Sequence, residues 1–132
     1  YYAPAHINLG KTLSQSGEVE ESIRELQTAI RLAPVRADLH NELGVMLGQN
    51  NQNQLAIEQF DMALQLEPKL ARAYNNLAVS LALTRRPSEA ISMAERGIEV
   101  ARLTGQPDAA RVAEEWLSHY RDELRQIQAK SK

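Results

Sequence analysis

The chain has 132 residues, 43% of them apolar and 24% charged, with a net charge of −2 and a pI near 5.9. That length suits one domain with a continuous core, and the balance is that of an ordinary soluble globular protein, which excludes wholesale disorder. Near-neutral charge argues against nucleic acid as a main partner, since phosphate binding needs a clustered basic surface, and the lack of cysteine excludes disulfides, thiolate metal sites and a cysteine nucleophile.

Pro4 in a first turn, where its missing N–H costs nothing, predicts a helix from Ala3 to about Gln15. Ser16-Gly17 then turns the chain, with Gly17 free to take a left-handed conformation, and Glu18 or Val19 opens a second helix. Its apolar stripe is Val19, Ile23, Leu26, Ala29, Ile30 and Ala33; Glu20, Glu21, Arg24, Glu25 and Arg31 form a solvated opposite face. Pro34 ends it, because the residue before a proline resists helical geometry. A second hairpin is expected from about Arg36 to Leu66, broken at Gln49 to Gln54, with Asn51 standing where Gly17 stood. A third starts near Ala71, turns at Thr84-Arg85-Arg86, and resumes at Pro87-Ser88-Glu89. Nothing like Pro34 or Pro68 stops its second helix before Thr104-Gly105-Gln106-Pro107. A long last helix, about 107–129, then carries Ala113, Trp116, Leu117, Tyr120, Leu124 and Ile127 on one face. No apolar run is long enough to cross a membrane, so direct insertion is not expected, while the compartment stays open.

These hairpins share one skeleton with a period of 34 residues. His40, Leu43, Gly44, Leu47, Ala56, Phe60, Ala63 and Pro68 return upstream as His6, Leu9, Gly10, Leu13, Ser22, Leu26, Ala29 and Pro34. Downstream they return as Tyr74, Leu77, Ala78, Leu81, Ala90, Ala94, Gly97 and Arg102. Small residues let paired helices approach while Leu47 and Phe60 fill the space beside them, and stacked hairpins share one core. Period and skeleton together resemble the tetratricopeptide repeat (TPR) family, although His40 stands where that family usually has Trp or another large residue. The resemblance implies an all-α solenoid: a right-handed superhelix of three hairpins (about 3–34, 37–68 and 71–104) closed by a capping helix. Ala94, Gly97 and Arg102 depart from the pattern and mark a terminal repeat that meets a different neighbour. Trp116 continues the apolar stripe of the cap, which favours packing over a partner-anchoring role.

No phosphate loop, His-Glu-x-x-His or Gly-x-Ser-x-Gly motif is present, so neither catalysis nor a cofactor is expected. His6 and His40 fall on a packing position, and Glu115 with His119 makes too small a set for a metal. The resemblance instead implies a concave groove, lined by the first helix of each hairpin, that holds a peptide or helix of a partner protein. The residues between the packing stripes are Asn8 and Lys11, then Asn41, Glu42 and Val45, then Arg72, Asn75, Asn76 and Val79. Asparagine amides both donate and accept, which suits them to gripping a peptide backbone. The family's carboxylate clamp for heat-shock chaperones is not matched, since Glu42 would repel that ligand. An architectural or regulatory segment of a larger protein stays as the alternative function. Tyr1 is in register with Val35 and Lys69, each of which follows a proline. A further repeat is therefore expected upstream, with self-association of this segment through Tyr1, Tyr2, Ala5 and Ile7.

Overall fold

A computed structural model describes residues 3–132. Those residues form helices α1 (Ala3–Gln15), α2 (Val19–Leu32), α3 (Ala37–Gln49), α4 (Asn53–Leu66), α5 (Ala71–Leu83), α6 (Pro87–Leu103) and α7 (Pro107–Lys130), with no strand among them. The expected all-α solenoid is what the chain forms. α1 packs on α2, α3 on α4 and α5 on α6; each hairpin then packs on the next, with direct contact between α3 and α5 and between α5 and α7.

The three intra-hairpin turns are copies of one another. Gly17, Asn51 and Arg85, each 34 residues from the next, all take the left-handed conformation, with φ of 84°, 59° and 61°. In each, the following N–H reaches back to the carbonyl five residues earlier: Glu18 to Leu13, Gln52 to Leu47 and Arg86 to Leu81, at 2.8–2.9 Å. Those bonds satisfy carbonyls that a helix end leaves unpaired, and they aim the second helix back along the first. Arg85 shows that the backbone imposes this conformation even where the side chain disfavours it.

Inside the hairpins, helix approach is set by matched small and large residues. Gly10 faces Leu26, and Gly44 faces the ring of Phe60, which is 2% exposed. In the third hairpin Ala78 and Ala94 are both fully buried at the same two positions, and Gly97 lies so close to Tyr74 that an added Cβ would stand 2.8 Å from Tyr74 Cβ. Tyr74 and His40 occupy one repeat position and do one job. The Tyr74 hydroxyl donates to Pro68 O at 3.1 Å, while His40 Nε2 meets Pro34 O at 3.0 Å and its Nδ1 meets Gln59 Oε1 at 2.8 Å. Each thereby pins the proline that separates two hairpins. His6 makes the matching intra-hairpin contact, Nδ1 to Glu25 Oε2 at 2.6 Å.

Helix α7 closes the stack as a cap. Ala110, Ala113 and Leu117 are buried in a cluster with Ala71, Ala78, Ile98 and Ala101, and half-buried Trp116 packs on the same cluster. Its indole stacks on Tyr120, with ring centroids 5.0 Å apart and an interplanar angle of 18°. One expectation about the other end needs correction. Ile7 is not exposed: it is 6% accessible and belongs to the main core with Leu26, Leu39 and Leu43. Leu9, expected among the packing residues, is the open one at 46%, whereas its counterparts Leu43 and Leu77 are buried on helices that have a hairpin in front of them. Ala5 is exposed as expected, and Tyr1 and Tyr2 lie outside the described residues.

Candidate functional site

The first helices α1, α3 and α5, with α7, stand side by side and form the inner face. Asn8 and Lys11 are exposed on α1; Glu42 and Val45 are half-buried on α3; Arg72 is exposed on α5, and Asn75, Asn76 and Val79 are half-buried there. Asn41 differs. It is 2% exposed, and its Oδ1 accepts a hydrogen bond from Asn76 Nδ2 at 3.1 Å. The expectation that Asn41 offers its amide to a ligand is thus revised, because the close approach of α3 to α5 consumes that amide internally. Substituting Asn41 acts first on how two repeats are joined.

One repeat later the same step is broken. Asn75 stands where Asn41 stood, but the cleft it lines between α5 and α7 is faced by Ala109 and Val112, and Asn75 Oδ1 is buried without a hydrogen-bond partner. Arg72 and Asp108 line that cleft too, which encloses about 260 Å³. Asp108 is engaged by Arg111 at 3.4 Å, and Arg72 has no carboxylate within 4.0 Å among the described residues. A second cleft of about 260 Å³ opens between α3 and α5, lined by Val45, Gly48, Asn76, Val79 and Leu83 with the Phe60 ring beneath. The structure therefore brings Val45, Asn76 and Val79 to one cleft and Arg72 with Asn75 to another. Asn8, Lys11 and Glu42 line neither.

Gly48, Leu83 and Asn53 belong to the site and were not anticipated. A lone glycine one turn beyond Gly44, inside a helical pattern, was the available signal for the first. Near the groove's rim, burial works against the charge of Asp38, yet Arg36, bonded to it at 2.6 and 3.1 Å, outweighs that cost and holds the carboxyl below its usual range.

The larger space between α6 and α7, about 770 Å³, is different in kind. Arg102 pairs there with Glu114, Arg121 with Glu95 at 2.7 Å and Arg125 with Asp122 at 2.6 Å, so its arginines are already matched. His119 donates to the Glu115 backbone oxygen at 2.9 Å and not to its carboxylate. Among the described residues no three His, Asp or Glu side chains converge as a metal site, and no helix is long and apolar enough to cross a membrane.

Known proteins supply the remaining context. The Yersinia enterocolitica type III secretion translocator chaperone SycD superposes with a TM-score of 0.85 at 18% identity, covering 92% of this chain and 85% of that one. The TPR2B-domain:pHsp70 complex of yeast Sti1 gives 0.88 at 16%, covering 92% and 97%. PcrH in complex with the chaperone binding region of PopD gives 0.85 at 15%, covering 91% of each chain. At such identities these likenesses show a shared fold. No curated protein matches the sequence. Two family models described as tetratricopeptide repeat match residues 7–71 and 70–104, running without a gap across all three hairpins. With the period, the proline pins and the capping helix, those matches place the chain in the tetratricopeptide-repeat family.

Proposed function

We propose that this chain is a non-catalytic protein-interaction module that holds a segment of a partner protein along the inner face of α3, α5 and α7. The observation that carries the reading is the contrast in how side chains are satisfied. On the outer helices charges pair within the fold, as Arg24 does with Glu21 and Arg86 with Glu89. On the inner face Arg72 has no partner carboxylate, the Asn75 amide has no hydrogen bond, and Val45 and Val79 stand half-open over a cleft. Polar groups left unmet inside a concave surface are stabilised when a ligand meets them. Two structures of the same fold are themselves complexes, one with pHsp70 and one with the chaperone binding region of PopD, which supports the reading.

A displayed library of random peptides selected on the immobilised chain tests this. Val45→Arg, which puts a charge into the groove, is expected to weaken recovered peptides by about tenfold or more, whereas Glu58→Arg on the exposed side of α4 changes affinity by less than about twofold. Equal effects of the two variants, or no recovered peptide, would contradict it.

A further inference from the structure

The two clefts differ chemically, and their difference specifies what a bound segment must carry. The α3–α5 cleft exists because residue 48 is glycine. A Cβ built there would come within 4 Å of only one group, Asn53 Oδ1 at 3.8 Å, so the space above Gly48 leads to that oxygen. Asn53 Oδ1 is itself buried without a hydrogen-bond partner. The walls around it are Val45, Val79, Leu83 and Phe60. A side chain suited to this cleft has an apolar body and a donor at its far end, which describes the phenol of tyrosine or the indole of tryptophan. An aliphatic side chain would leave the oxygen unpaired at a cost, and a lysine would leave its ammonium largely desolvated.

The α5–α7 cleft asks for the opposite partner. Its unmatched groups are the Arg72 guanidinium and the Asn75 amide. With Asn75 Oδ1 shut away, its NH₂ end is what remains to serve a ligand. Two donors, one of them charged, make a seat for a carboxylate. Asp108 shares the cleft, but its charge is taken up by Arg111.

The clefts also have a separation. Along α5 the residues of the first centre on Val79 and those of the second on Arg72 and Asn75, which is about 10 Å at 1.5 Å per residue. Because the clefts lie on opposite flanks of α5, one helix spacing of about 9 Å adds across it. The diagonal, about 13 Å, is spanned by about four residues of extended chain.

We infer that the partner is read at two points: a tyrosine or tryptophan enters the Gly48 cleft, and an aspartate or glutamate about four residues away is held by Arg72 and Asn75. This rests on the groove reading above and adds to it a ligand chemistry and a spacing.

The same random-peptide selection tests it. Recovered peptides should be enriched in an aromatic donor residue with an acidic residue about three to five positions away. Gly48→Leu, which occupies the cleft from within open space, should weaken them about tenfold or more, and Arg72→Ala should do the same only for peptides that keep the acidic residue. Replacing the peptide's tyrosine by phenylalanine should also weaken binding. Unfolding curves identify any variant that damages the fold; Arg72, being exposed, tests the second point even if Gly48→Leu does. Peptides lost on Val45→Arg but lacking that spacing, or indifferent to Gly48→Leu, would overturn this inference and leave the groove reading standing. Peptides indifferent to Val45→Arg, or no recovered peptide, would overturn both.

Discussion

Phe60→Ala is expected to lower the free energy of unfolding by about 3–5 kcal/mol, the cost of removing a fully packed aromatic ring from a core. Phe60 is the largest of the fully buried side chains and lies in the middle hairpin. Its ring sits against α3 at Gly44, in one cluster with Leu39, Leu43, Met46 and Leu77, which come from α3 and α5. The void would thus lie where two hairpins share a core, and neither could collapse into it without leaving the other. Each unit of a repeat stack is stabilised mainly by its neighbours, so loss at the centre should also make unfolding less cooperative. Denaturant titration followed by circular dichroism measures both. A loss below about 1 kcal/mol would show that this ring is not the keystone of the middle repeat.

Gly44→Ala is the complementary experiment and should cost about 1–3 kcal/mol, even though alanine is the better helix former. The new Cβ would stand 2.5, 2.7 and 2.8 Å from three atoms of the Phe60 ring, closer than real contacts allow. That ring is enclosed and cannot swing aside, so α3 and α4 must separate. Combining Gly44→Ala with Phe60→Ala should cost less than the sum of the two, because the methyl enters space the ring has vacated. The third hairpin already carries this pairing as Ala78 with Ala94, both fully buried. Strict additivity in the double variant would mean that the two residues do not compete for one space.

Much of this architecture was legible because it is periodic. Proline, turn and small-residue positions recur every 34 residues, and each has a local physical cause, so the helices and their pairing could be read from spacing alone. The site was less legible, since spacing assigns a phase on a helix and not what stands opposite. Asn41 and Asn75 are equivalent in sequence. Only the structure shows that Asn76 meets the first, whereas Val112 lies across from the second. Ile7 and Leu9 were exchanged for a related reason: the residue that looks free on one helix is covered by the next hairpin, and the one that looks packed needs a hairpin in front of it. Gly48 escaped notice because an empty space has no residue type of its own.

The central claim is that partners bind on the inner face, at the two clefts that flank α5. Backbone amide chemical-shift mapping of the labelled chain, titrated with one peptide from the selection, tests it most directly. The account predicts shifts concentrated at Val45, Gly48 and Gln49 on α3, at Arg72, Asn75 and Val79 on α5, and at Val112 on α7. Shifts gathered instead at Arg24, Glu58 and Ser92, on the outer helices, with the inner face unmoved, would contradict it.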